Sequence, residues 1–526
     1  MASAFDSLAR RVTSSRRRTW ATGFAIFFIL LASWSLATPL TGAPDEPAHM
    51  MRAASVVRGE INGPEVQVRQ VIARIPRTEV VTGIRLPERY KSLELMPSCY
   101  APDANVSAGC APPMTGGSQI VSMTTAAGRY NPAYYLAIGW PTLFLGGPSG
   151  LYAMRLISAA ICAALLASAF LTATEWRRRG PALLGLFTAA TPMVLFLGGV
   201  VNPNSVEIAA GILAWAATLS IFMSPDPRVL NHRLARAGTA SAALFCIRPL
   251  GLIWVASIIV CGLLTAERGT LRAIVHRRAF WLWTGVSGLA FVLGEVWNMT
   301  HPDHSSMPKA LSAKAVVVWS FHHSDYFVNQ MIGNFGWLTT PIAPVSLILW
   351  LGAIVGLVIL ACTYSRRRET LALLGIAAGI FLIPLLGSAA EAKLGPIWQG
   401  RYLLAFAVGL PMLSAFVIAK RDPLVAPART RLVNNSMLLL GLANIVAFYW
   451  ALHRYLVGSG GSILSLRAHW EPPGTWPVWL LVYGVGLLAG VQLVRTLEKA
   501  PAEAQESAAA TTGGATAASE VVPVNG

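Results

Sequence analysis

Runs of about 20 apolar residues, each the length a helix needs to cross a bilayer, constrain this chain more than anything else in it. They fall at 20–38, 152–174, 181–200, 204–223, 280–297, 342–364, 369–388, 402–419, 434–452 and 477–495. Charge is scarce in the chain as a whole. Only 12% of the residues are charged and 54% are hydrophobic, with a mean hydropathy of +0.55, where a soluble domain carries roughly 25% charge. The predicted fold class is therefore an all-α polytopic transmembrane bundle of about ten full spans, with a large first loop at 39–131. The net charge of +17 does not indicate a nucleic-acid partner. Its arginines sit in short clusters between apolar runs (Arg16–Arg18, Arg177–Arg179, Arg277–Arg278, Arg366–Arg368), the positive-inside pattern of cytoplasmic loops.

Orientation follows from those clusters. The first 19 residues carry five Arg and one Asp and are expected in the cytoplasm. The apolar run that follows is longer than a signal-peptide core of roughly 7–15 residues, so it reads as an uncleaved first span. Loop 39–131 has nine Lys/Arg against eight Asp/Glu, no basic bias, and is expected outside. Segment 132–147 is short and aromatic. A crossing there would put Arg177–Arg179 outside, so it is expected to lie on the outer surface. Segment 239–265 is apolar but broken at Arg248-Pro249, between two basic loops. Two half-helices that enter and return satisfy both loops; a single Pro-kinked span is the alternative. Continuing in this way, both termini are cytoplasmic in a multi-pass protein of the plasma membrane. The domain plan is a basic N-terminus (1–19), a membrane domain (20–495) and a disordered tail (496–526) poor in large apolar residues. No internal repeat is evident. Four of six cysteines lie in apolar segments and read as packing residues. Cys99 and Cys110 lie in the outer loop, where a disulfide is expected; no second pair completes a zinc pattern.

Four polar constellations stand out. Asp45-Glu46-Pro47-Ala48-His49 follows the first span. Pro favours the first turn of a helix, so Asp45 or Glu46 would occupy its N-cap and His49 would share their face. The helix would run to Gly59 with an apolar stripe on the membrane. Its acids either cap that helix or supply a general base, Asp45, with proton affinity raised by the low dielectric of the bilayer. Gln399-Gly400-Arg401-Tyr402, with Lys393 nearby, either anchors a helix end in the headgroups or offers a guanidinium fork to a phosphate. In Val201-Asn202-Pro203-Asn204, Asn202 or Asn204 caps the next helix or faces a ligand, and Glu207 lies one turn inside an apolar run, where an acid is costly and expected to face a cavity. The histidines of His301-Pro302-Asp303-His304 and His322-His323 match no tight metal spacing.

Together these features resemble the GT-C superfamily of membrane glycosyltransferases: a first span, then an outer loop opening on an acidic pair, then Asn131-Pro132-Ala133-Tyr134-Tyr135, Met154-Arg155 and the broken pair at Arg248-Pro249. Pro44-Asp45-Glu46-Pro47-Ala48-His49, Val201-Asn202-Pro203-Asn204 and Gly400-Arg401-Tyr402 are similar to a bacterial family of multi-pass proteins common in actinobacteria. The superfamily resemblance implies a polyprenyl-phosphate sugar donor, a glycan or lipid acceptor and surrounding membrane lipids as partners. It implies Asp45 as base in an inverting transfer, Glu46 and His49 orienting the acceptor or tuning the base, and Arg401 and Lys393 on the phosphate. Arg248, Asn202 and Asn204 complete the expected substrate site. A second acidic motif that binds metal in some members has no equivalent here, so neither a metal nor another cofactor is expected. Two other classes stay open: a carrier of lipid-linked glycans, with Arg248 and Glu207 on its path, and a non-catalytic envelope-assembly protein.

Overall fold

A computed structural model of the chain describes residues 12, 15–72, 75–302, 304–305, 311–463 and 467–499. Among them nine helices are long and apolar enough to cross a membrane, and a bent pair makes a tenth. In chain order, leaving aside three short ones (Ser92–Leu95, Thr270–Val275 and Leu404–Ala407), the helices are α1 (Arg16–Ala37), α2 (Glu46–Val56), α3 (Pro132–Gly139), α4 (Gly147–Thr174), α5 (Arg179–Ala189), α6 (Pro192–Gly198), α7 (Pro203–Met223), α8 (Leu230–Ile247), α9 (Gly251–Leu264) and α10 (Arg278–Thr300). They continue with α11 (Ala313–His322), α12 (Ser324–Ile332), α13 (Pro344–Tyr364), α14 (Arg367–Ala390), α15 (Gly409–Arg421), α16 (Ala426–Val457) and α17 (Trp476–Lys499). A turn of 3-10 helix, Gly400–Leu403, leads into α15 and extends that span to Gly400–Arg421. The chain is a polytopic helical membrane bundle. The expected tail begins inside α17, and from residue 500 on it lies outside the described residues.

The predicted spans correspond one to one with these helices, because apolar length is a local signal. One differs in shape. The run 181–200 is not straight: α5 and α6 meet at 66°. Thr191 caps α6 through its side chain and Pro192 follows at the first turn, a pairing that starts a new helix.

The arginine clusters gather on one face of the bundle. Glu175 at the end of α4 accepts from Arg16, Arg233 and Arg236. Asp422 joins Arg178 to Arg429, which also reaches Glu498. Glu369 pairs with Arg421, and Lys420 with Glu267. The opposite end, here called the loop face, carries residues 38–146.

α8 and α9 form a hairpin. Near the start of α8, Arg233 donates to the carbonyl of Ser220, and just past α9 the Glu267 amide donates to the carbonyl of Phe222. Both partners lie at the arginine-face end of α7, so the two helices enter and return. A single kinked span would have put its ends on opposite faces. The tip, Arg248-Pro249-Leu250, reaches the other end of α7. That helix is the centre of the bundle: all of its residues are buried, and a Cβ on Gly211 would stand 2.7 Å from the carbonyl of Ala405.

On the loop face a three-stranded antiparallel sheet, β1 (Glu65–Ile72), β2 (Ile75–Pro87) and β3 (Ile120–Thr125), pairs Glu65 with Thr82 and Thr82 with Thr125. Alternate β2 residues Ile84 and Leu86 are buried in the same core as Met50 and Met51 of α2, and the Thr125 hydroxyl donates to the carbonyl of Ala48 at 2.8 Å. α2 therefore does not lie on the membrane as the sequence predicts. It is roofed by the sheet and flanked by α3, whose Gly139 leaves no room for a Cβ beside the carbonyl of Ala53. The surface role falls to α3 and the turn after it, where Leu136, Trp140, Leu143 and Phe144 are exposed. Cys99 and Cys110 are joined in a disulfide in this outer layer.

Candidate active site

The turn that carries Asp45 is held at almost every carbonyl. Arg155, fully buried near the start of α4, uses all five of its N–H donors. Two go to Glu46 (Nε to Oε1 and Nη2 to Oε2, both 2.7 Å), and three go to the carbonyls of Ser35, Thr38 and Pro39. Tyr100 donates to the carbonyl of Leu40, Trp337 to Thr41, Tyr455 to Gly42 and Asn202 to Pro44. The Glu46 amide takes the carbonyl of Ala43. Side chains from five elements across the chain, with the Glu46 amide, thus fix one seven-residue turn, the preorganisation expected where geometry matters to about 0.5 Å.

At its end Asp45 adopts a left-handed backbone, φ 64°, and its side chain makes no capping bond to α2. For a non-glycine residue that conformation costs of order 1 kcal/mol, and the surrounding bonds enforce it. The capping reading of this acid is thereby excluded. Its carboxylate instead meets Arg401, Nη2 to Oδ2 at 2.5 Å. Protein surrounds Asp45 closely, yet 53% of its side chain remains accessible: it lines the wall of an open recess. Burial pushes its carboxyl up, but the Arg401 guanidinium, aided by Arg248, more than offsets this and holds it below the usual carboxylate range. That is the reverse of the raised proton affinity expected from sequence.

Arg401 is positioned by its neighbours. The Gly400 amide donates to Gln330 at 2.6 Å, and a Cβ on Gly400 would lie 2.1 Å from the carbonyl of Phe327. Arg401 Nε donates to Gln399, while its buried Nη1 has no hydrogen-bond partner among the described residues. Arg248 enters from the hairpin tip. Its guanidinium lies 4.5 Å from the ring centre of Tyr402, and that of Arg401 lies 5.3 Å from the same ring. Glu207 steadies Arg248 at 3.7 Å and is itself held by Trp254 and Asn204. Arg248 Nε is also buried without a partner. Two guanidiniums with unused donors flanking one ring form a place for an anion.

The other expected residues divide. His49 joins the cluster: it is buried, hydrogen-bonded through Nδ1 to the Tyr135 hydroxyl at 2.8 Å, and edge-on to Tyr130. Burial, with Arg401 and Arg248 acting against Asp45, lowers its pKa to about 3, so the imidazole is neutral. Glu46 turns away. It has no exposed surface, and besides Arg155 it accepts from the Val201 amide. Asn202 caps α7 and ties the 199–202 turn to Pro44, and Asn204 spends its amide on Glu207; both are buried. Glu46, Asn202 and Asn204 therefore stand behind the recess rather than in its opening. Lys393 is exposed on the turn Ala392–Leu394. The histidines disperse, His304 to Glu65 and His301 to Asn62, while Asp303 lies outside the described residues. Among the described residues no three His, Cys, Asp or Glu side chains are grouped to hold a metal. Arg155, Trp337 and Tyr455 escaped the sequence reading as site residues. A charge inside an apolar run was the one available signal, and it marked Arg155.

The crystal structure of ArnT from Cupriavidus metallidurans bound to undecaprenyl phosphate is similar to this chain. It is 14% identical, with a TM-score of 0.41, and the likeness covers 96% of this chain and 81% of that one. No curated protein sequence matches significantly. The recess is built almost wholly from residues within 28–410, the region matched by the family described as "Predicted membrane protein (DUF2142)", and this chain belongs to that family.

Proposed function

We propose that this chain is a membrane glycosyltransferase that takes a sugar from a polyprenyl-phosphate donor in the recess of the loop face and passes it to a glycan or lipid acceptor. The observation that carries the reading is the meeting of Asp45 with Arg401, 356 positions apart, beside a second arginine with an unused buried donor. A phosphodiester needs guanidinium donors and a transfer needs a base; the recess offers both within one cluster. The GT-C resemblance of the motifs supplies the sugar.

In this reading Arg401 and Arg248 bind the phosphate, and Lys393 lends the face positive potential for steering it in. Asp45 takes the proton of the acceptor hydroxyl as its oxygen attacks the anomeric carbon from the side opposite the phosphate. The new C–O bond inverts that carbon, the old one breaks, and polyprenyl phosphate leaves with the bonding pair, its charge met by the arginines. Neutral His49, held by Tyr135, orients the acceptor or tunes Asp45. Glu46, Asn202 and Asn204 position the turn and the hairpin tip. In this reading the face that gathers the arginine clusters is cytoplasmic by the positive-inside rule, with both termini on that side and the recess outside the plasma membrane.

The test is transfer by the purified full-length chain in nanodiscs, given polyprenyl-phosphate sugars and envelope acceptors. Asp45→Asn should lower turnover about 10²–10⁴-fold, the usual cost of losing a positioned base, while donor binding persists. Turnover within a few-fold of the parent would overturn the assignment. Binding of donor without transfer by the parent chain would favour a carrier.

A further inference from the structure

The recess is charge-balanced. Arg401 and Arg248 face Asp45 and Glu207, and His49 is neutral. An incoming phosphodiester adds one negative charge to a cluster with none to spare, and it must find donors. Arg401 can give its unpartnered Nη1, but its Nη2 is already bonded to Asp45 at 2.5 Å. A carboxylate paired in this way is a poor base. Asp45 is also the one acid of the cluster with a largely open side chain; Glu207 has 1% of its side chain exposed and is held by Trp254 and Asn204. The balance therefore changes most easily at Asp45.

We infer that Arg401 is shared between base and donor: phosphate binding draws its guanidinium from Asp45 and so turns Asp45 into a competent base only when the donor is in place. This inference rests on the proposed phosphate-donor reading of the recess. With the arginine engaged by phosphate and a second anion beside it, the carboxylate gains proton affinity from both changes. The groups facing it from the packed elements are Arg401 and Tyr402 on the turn before α15, Arg248 at the hairpin tip and His49 on α2, whose ring meets Tyr130 ahead of α3. His49, the imidazole beside it, is already neutral in this arrangement, so the response is set at Asp45.

Linkage fixes the sign. In the free site the Asp45 pKa lies below the usual carboxylate range; in the complex it lies above its free value. Between the two, the complex holds a proton that the free site lacks. Donor affinity therefore falls as pH rises through that window and levels off above the pKa of the complex. Below the free value, both states are protonated and affinity is again flat.

The probe is a polyprenyl methyl phosphodiester, a single anion that does not itself titrate between pH 5 and 8. Calorimetry on the full-length chain in nanodiscs, repeated in buffers of different ionisation heat, counts protons taken up on binding. The parent should take up protons below its complex pKa and bind up to about tenfold tighter per unit fall in pH. Asp45→Asn, which removes the competing carboxylate, should bind the probe at least about tenfold tighter at neutral pH, with no proton uptake and no pH slope. Should Asp45→Asn fail to fold, proton counting on the parent still decides. A parent that binds with no proton uptake and no slope, or an Asp45→Asn chain that binds equally or more weakly, overturns the exchange. If that variant has also lost transfer, the enzyme reading survives without it. A parent that does not bind the probe at all overturns both.

Discussion

Glu46→Gln should destabilise the chain by about 3–5 kcal/mol, the cost of breaking a buried ion pair from one side. The estimate follows from the geometry. Glu46 Oε1 accepts both Arg155 Nε and the Val201 amide, and Oε2 accepts Arg155 Nη2. Glutamine can keep the first two with its one oxygen, but its amide nitrogen then points a donor at Nη2, which is also a donor. The arginine is left charged, with no exposed surface and no counter-ion. Its other three bonds hold the carbonyls of Ser35, Thr38 and Pro39, so the loss reaches the Asp45 turn. At roughly 2 °C per kcal/mol for a large chain, melting in detergent should fall by roughly 6–10 °C. Replacing both partners, Glu46→Leu with Arg155→Met, should cost less than the sum of the single changes, because no buried charge is stranded. Asp45→Asn should shift the same transition far less, since its side chain is half open. A Glu46→Gln chain that melts within 1 °C of the parent would refute this keystone role.

Two further outcomes are specific. Gly400→Ala should lose probe binding and melt lower, because its Cβ would press to 2.1 Å from the Phe327 carbonyl and displace the Arg401 turn; an unchanged affinity would show that the turn adapts. With the native cysteines replaced, a cysteine at position 178 should resist an impermeant reagent on intact cells while one at position 117 reacts, and the reverse pattern would invert the proposed orientation.

The spans were legible in sequence because bilayer length and basic loops are local signals. The hairpin at Arg248-Pro249 was legible for the same reason: two basic flanks demand a return. The roof over α2 was not. Glu65–Ile72 alternates in the manner of a strand, but nothing local says that its sheet will cover Met50 and Met51 and so keep α2 off the membrane. The bend at Thr191-Pro192 was hidden inside a run apolar enough to cross unbroken. In the candidate site, residue types singled out Asp45, Arg401 and Arg248, which the fold brings together. Which of two adjacent acids is the open one could not be read, because it depends on Arg155, 109 positions beyond Glu46. Asp45 was expected to gain proton affinity from the bilayer; its partner, 356 positions away, reverses that.

The two acids of one dipeptide thus divide the labour by direction. The left-handed residue at Asp45 turns its carboxylate out toward the recess, while Glu46, the first residue of α2, points in toward Arg155. Each meets an arginine, but the surroundings set opposite consequences. Arg155 has every donor satisfied, so its pair is closed and serves to hold the turn. Arg401 keeps a buried donor unused, and its partner stays half open, so that pair can be entered by a ligand. Swapping the order of the acids' environments would require the turn 38–44 to be released, and side chains from five elements prevent it. An Arg401→Lys chain separates the two functions: it keeps the charge beside Asp45 but loses the planar fork. Its melting should stay near that of the parent while phosphodiester binding weakens about tenfold or more, the loss of one charge-assisted hydrogen bond. Equal binding by the lysine chain would mean that the recess holds its anion by charge alone.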